Sequence, residues 1–104
     1  NSARLYTQFA ATVTAGQLIK ITAAGKADLG VAGNVIGWAP AAVAINDYGE
    51  VRLLGLDTAI AGLTPGVTYY ASAGTPGAIT AAVTAQSIGF AISASQLFFN
   101  PRYS

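Results

Sequence analysis

Two Thr-Pro-Gly turns, Thr64-Pro65-Gly66 and Thr75-Pro76-Gly77, bracket a run of Thr68, Tyr69, Tyr70, Ala71 and Ser72. Proline sets φ for the first turn position and glycine supplies the positive φ that the next one needs. Aromatic and β-branched residues between two such turns predict a β-hairpin. A chain punctuated in this way has little room for helices, and the rest of the sequence keeps the same rhythm.

From Thr14 onward the predicted strands follow in order. Gln17 to Thr22 reads as a strand with Leu18 and Lys20 on one face and Ile19 and Ile21 on the core face. A turn over Ala23 to Lys26 closes a hairpin onto Ala27-Asp28-Leu29, and Gly30 to Asn34 is a loop. Val35 to Ala39 is a strand whose internal Gly37 predicts a bulge or the close approach of another backbone. Pro40 to Ile45 reads as extended chain, Asn46 to Gly49 as a turn, and Glu50 to Leu54 as a strand with Glu50 and Arg52 outward and Val51 and Leu53 inward. After the Thr-Pro-Gly hairpin come the strands Ser87 to Ser93 and Gln96 to Asn100, stopped by Pro101.

The two halves echo each other. Thr14-Ala15-Gly16, a strand and Ala23-Ala24-Gly25 match Thr64-Pro65-Gly66, a strand and Ala73-Gly74. Val35-Ile36-Gly37-Trp38-Ala39 likewise matches Ser87-Ile88-Gly89-Phe90-Ala91, each with one more strand behind it. The expectation is an all-β domain, a small antiparallel barrel or sandwich of two similar meander-like halves, with Trp38 and Phe90 in equivalent core places. Its boundaries are residues 14–104. Residues 1–13 have no turn signal and no clear period, and are expected to form an N-terminal arm. Within that arm Leu5, Tyr6 and Phe9 either pack on a sheet face or anchor the segment on a neighbour.

At 104 residues one core can be filled but not two. Charged residues are only 9% of the chain, and none occurs from Thr58 to Pro101. A surface that poor in charge tends to be covered by other subunits or a larger assembly. The net charge is +1 and the five basic residues are scattered, which argues against a nucleic-acid partner. Gly, Pro and Thr interrupt every apolar run, so no transmembrane helix is expected and no membrane partner is assigned. The sequence contains no Met, and the expectation is that translation began upstream of Asn1.

Chemistry needs a group of suitable proton affinity or a bound metal. With no His and no Cys, the candidates reduce to Asp28, Asp47, Glu50 and Asp57. Asp47 and Glu50 flank a turn and read as solvated turn residues. No calcium-loop spacing occurs, and the glycines from Gly30 to Gly37 lack the Lys-Ser/Thr of a phosphate loop. The expectation is therefore no catalytic, metal or cofactor site, and no enzyme. On a strand Tyr69 and Tyr70 point to opposite faces, one into the core and one outward.

The stretch LTPGVTYYASAGTPGAIT followed by QSIGFAISASQLFF resembles a module of tailed-bacteriophage virion surface proteins. The likeness covers residues 63–99 and reaches the first half only through the internal repeat. Similar segments occur in tail fibres, whereas short β-domains with this strand pattern are similar to capsid decoration, or cement, proteins; the lack of a stalk or heptads here points toward the latter. The resemblance implies a non-enzymatic protein of the capsid surface, a homotrimer seated on the major capsid protein. The expected contacts are Arg4, Leu5, Tyr6, Phe9, Tyr70, Phe98, Arg102 and Tyr103, with Arg4 and Arg102 available to capsid acids. The alternative is a receptor- or glycan-binding fibre module using Tyr48, Tyr69 or Tyr70.

Overall fold

A computed structural model describes residues 4–100. They form ten strands and no helix: β1 (Arg4–Gln8), β2 (Leu18–Ile21), β3 (Ala27–Leu29), β4 (Gly37–Trp38), β5 (Tyr48–Arg52), β6 (Gly55–Asp57), β7 (Thr68–Ala71), β8 (Ile79–Thr80), β9 (Ser87–Ser93) and β10 (Gln96–Phe99). Two antiparallel five-stranded sheets result, ordered β1-β5-β4-β2-β3 and β6-β10-β9-β7-β8. Neither closes into a barrel, so the fold is a sandwich. The first sheet comes nearest to closure, with an isolated bridge between Phe9 and Ala27 near its two edges.

Adding five to every strand number of the first sheet gives the second, so the halves share one topology. They share register as well. Leu18 pairs with Trp38 and Ile19 with Gly37; at the matching places Thr68 pairs with Phe90 and Tyr69 with Gly89. Trp38 pairs with Arg52 as Phe90 pairs with Phe98, and Lys20 with Asp28 as Tyr70 with Thr80. Loop hydrogen bonds repeat too: the Gly16 amide donates to Ala39 O at 2.7 Å and the Gly66 amide to Ala91 O at 2.8 Å. The Ala39 amide donates to Gln17 O at 2.9 Å and the Ala91 amide to Val67 O at 3.0 Å. The repeat read from the sequence is therefore a structural duplication.

At one equivalent place both copies require glycine. A Cβ on Gly37 would run into the carbonyl of Arg52, and a Cβ on Gly89 into the carbonyl of Phe98. In both halves the neighbouring strand passes where a side chain would stand, which is the close approach predicted for Gly37.

The two halves bury different faces. One cluster lies wholly within the first half: Phe9, Val13, Ile19, Ala27, Ala39 and Val51, flanked by Leu5, Leu29, Ile36, Val43 and Leu53. The other lies between the sheets, where Leu18, Val35 and Trp38 meet Tyr69, Ala71, Ile88, Ala91, Leu97 and Phe99. Trp38 packs tilted against Phe99 with ring centroids 4.7 Å apart. The first sheet is thus covered on both sides at β2 and β4, which corrects two expectations. Leu18 is as buried as Ile19, while Ile21 of the expected core face is 38% exposed. Phe90 holds the topological place of Trp38 yet is 46% exposed, because no third sheet covers it.

Of the two alternatives for the N-terminal segment, its described residues take the one packed on a sheet, with Leu5 and Phe9 against the core and Tyr6 exposed. β1 pairs with β5 from Arg4 opposite Arg52 to Gln8 opposite Tyr48, and Phe9 and Val13 are core residues. Alternation of Leu5 inward with Arg4, Tyr6 and Gln8 outward makes this segment an ordinary edge strand.

Candidate functional site

No group of three or more acidic, His or Cys side chains that could hold a metal ion occurs among the described residues. The features with functional content are two exposed sheet faces. They are the uncovered parts of the two copies of the same face, and their chemistry differs.

The first lies on β1 and β5. Arg4, Tyr6 and Gln8 stand on the same side as Tyr48, Glu50 and Arg52, because these residues are paired across the two strands. Tyr6 and Tyr48 are 72% and 61% exposed and their rings stack with centroids 6.3 Å apart. Beside them Glu50 Oε2 accepts from Arg52 Nε at 3.0 Å and from Arg4 Nη1 at 3.3 Å. The Arg52 hydrogen bond, seconded by Arg4, holds the Glu50 carboxyl below its ordinary range although partial burial opposes the shift. A cleft of about 440 Å³ is lined by Arg4, Leu5, Tyr6 and Glu50. The result is a fixed aromatic platform with a charged border. Arg4, expected to be available to capsid acids, is exposed and shares the Glu50 carboxylate with Arg52.

The second face is the outer side of the second sheet. Leu56, Phe98, Phe90 and Thr68 lie side by side in register across β6, β10, β9 and β7. Leu56 and Phe90 are exposed, Phe98 is half-buried, and Ile92 beside them is exposed. The Phe90 and Phe98 rings are tilted together at 5.6 Å. A cleft of about 270 Å³ adjoins Phe90 and is lined also by Thr68, Ser87, Gly89 and Asn100. Among the described residues this face carries no ionisable group except Tyr70.

Of the expected contact residues, Arg4 and Tyr6 fall on the first face and Tyr70 and Phe98 on the second. Phe9 is fully buried and cannot be a surface contact in the folded chain. Leu5 is half-buried against the first-half core. Arg102 and Tyr103 lie outside the described residues. Tyr69 is a core residue whose hydroxyl accepts from the Thr64 amide at 2.9 Å, which removes it from the glycan reading. Tyr48 remains, now paired with Tyr6. The sequence reading overlooked that partnership because β1 carried no strand signal.

Two buried polar side chains serve the fold. Gln86 accepts from the amides of Gly33 and Val35 at 2.9 and 3.0 Å and donates to Val35 O at 2.8 Å, tying the second half to a loop of the first. Asp57 Oδ1 accepts from the Ala59 amide at 2.9 Å while Oδ2 is buried without a partner among the described residues. Burial pushes the Asp57 carboxyl above its ordinary range, against the smaller effects of that amide and of Arg52. Asp57 sits at the place of Leu5 in the duplication, since Leu5 pairs with Val51 as Asp57 pairs with Leu97.

Compared with known families and curated proteins, the chain matches no family model and shows no significant match to a curated protein.

Proposed function

We propose that this chain is a structural, non-enzymatic virion protein that decorates a phage capsid and stabilises it by binding across subunits of the major capsid protein. The observation that carries the reading is that residues 63–99, the span of the resemblance, supply four of the five strands of the second sheet. The resembling span therefore forms a nearly complete sheet, and that sheet has the topology of the other half. The scarcity of charge in this half supports the same reading, because small uncharged side chains suit surfaces that are covered in an assembly.

The contact with the capsid is assigned to the β1–β5 platform. Its tyrosines are rigid amphipathic groups of the kind that dominate interfaces, and the Arg4–Glu50–Arg52 cluster supplies a polar rim. Each contact can be weak, since an oligomer engaging several subunits makes its later contacts intramolecularly.

The stacked, exposed Tyr6–Tyr48 pair also supports a second reading. A flat aromatic surface bordered by Gln8 and Glu50 can stack on a sugar ring, as a receptor-binding fibre module would require. Co-sedimentation with tail-less heads stripped of their decoration separates the two. Saturable binding that Tyr6→Ala combined with Tyr48→Ala weakens at least tenfold is expected for decoration. Failure to bind heads, with binding to host-cell glycan instead, would select the fibre reading.

A further inference from the structure

Within the chain, the face of the first sheet that corresponds to the second exposed face is covered by the inner face of the second sheet. In the first sheet, the row in register across β1, β5, β4 and β2 is Arg4, Arg52, Trp38 and Leu18. Its counterpart in the second sheet is Leu56, Phe98, Phe90 and Thr68. Trp38 and Leu18 are buried because another sheet of the same topology packs on them. Phe90 and Thr68 occupy the same places with none of the described residues above them, and where the first row ends in two arginines the second continues with Phe98 and Leu56.

We propose that this face is where a second copy of the chain docks, sheet against sheet, to form a two-fold dimer. Three observations select that occupant. First, residues 58–100 contain no charged side chain, so the described residues of the face offer nothing to a charged partner. An identical uncharged face meets it with no like-charge penalty. Second, the inner face of the second sheet, which receives Trp38 and Leu18 within the chain, is already filled. The opposite face of the first sheet is filled as well, by Phe9, Val13, Ala27 and Ala39. A head-to-tail extension of the internal contact therefore has no socket left, while outer face against outer face stays open to two copies. Third, the face is a knob beside a hole: Phe90 projects next to a cleft of about 270 Å³. A two-fold axis between the two places each copy's ring against the other's cleft, with Ser87, Thr68 and Asn100 as polar rim.

Because the contact is self-complementary, it closes at two copies. It therefore differs from the trimer implied by the resemblance, in which two unlike patches would have to meet. It does not depend on the decoration reading, and its test needs no capsid.

The test is the solution mass of the purified chain by sedimentation equilibrium from about 1 to 200 µM, a range that brackets ordinary transient dimers. The expected result is a reversible approach to twice the chain mass of 10.5 kDa. Phe90→Glu should raise the dissociation constant at least ~100-fold, since a hot-spot aromatic is lost and a charge is placed in an apolar contact on both copies. Tyr6→Glu on the other face should leave it unchanged. Trp38 fluorescence reports whether each variant is folded. Should Phe90→Glu unfold the chain, Phe90→Ser, which adds no charge, takes its place and should still weaken the dimer at least ~10-fold. A wild-type chain that stays monomeric at 200 µM, a trimer, or a dimer unaffected by a folded Phe90 variant would each overturn the proposal.

Discussion

Gln86 makes three hydrogen bonds to the loop at Gly33 and Val35, two of them fully buried, so its removal strands the Val35 amide and carbonyl at once. Gln86→Ala should cost about 3 kcal/mol, read as a lower urea midpoint, because each buried polar group left unpaired carries its own desolvation penalty. Gly89→Ala should cost at least as much, about 3 kcal/mol or more, as the new methyl collides with the main chain of β10 rather than with a movable side chain. Asp57 gives the opposite of the usual acid sensitivity. Its folded pKa lies above the unfolded value, so the folded state binds the extra proton between the two. Stability is then greatest below the ordinary carboxylate range and falls as pH rises through the raised value. Asp57→Asn should abolish that slope and match or exceed the wild type at pH 7, while Glu50, shifted the other way, destabilises the chain as pH falls. Urea midpoints of both chains between pH 3 and pH 8 would show it.

At the scale of strands, equivalent places in the duplication predict unequal consequences. Trp38→Ala should cost about 3–5 kcal/mol, the range for a large aromatic removed from a core, whereas Phe90→Ala in dilute solution should change the urea midpoint little. Which elements exist was largely legible in the sequence. Alternation located β2, the Ala23–Lys26 turn β3, the Thr-Pro-Gly pair β7, the recurring Ile-Gly-aromatic-Ala pattern β4, β9 and the duplication, and the stop at Pro101 β10. β6 went unread because Gly55-Leu56-Asp57 is too short to alternate and contains two poor strand formers. β5 begins at Tyr48, inside the residues read as a turn, since Gly49 pairs with Thr7. Which face each strand buries was the less legible part. Alternation tells two faces apart but assumes one of them is wet, and in β2 both Leu18 and Ile19 are dry. The Tyr6–Tyr48 platform escaped for a related reason: pairing between residues so far apart leaves no local mark on either segment.

At the scale of the molecule, the duplication leaves one copy of a face half-covered and the other open, and the proposed contacts divide between them. As proposed, the aromatic, charge-bordered part on β1–β5 would face the capsid and the uncharged one on the second sheet a sister copy. A consequence concerns the N-terminal segment. Deleting residues 1–13 removes an edge strand along with Phe9 and Val13 from the core, so the truncated chain should lose its cooperative urea transition rather than merely lose attachment. Substitutions at Tyr6 and Tyr48 are the ones that separate binding from folding. The claim that the protein stabilises a capsid by bridging its subunits is tested most directly by the temperature at which stripped heads release their DNA, with and without saturating protein. The account predicts a rise in that temperature that follows occupancy and is lost with Tyr6→Ala combined with Tyr48→Ala. Heads that bind the protein to saturation and still open at the same temperature would contradict it.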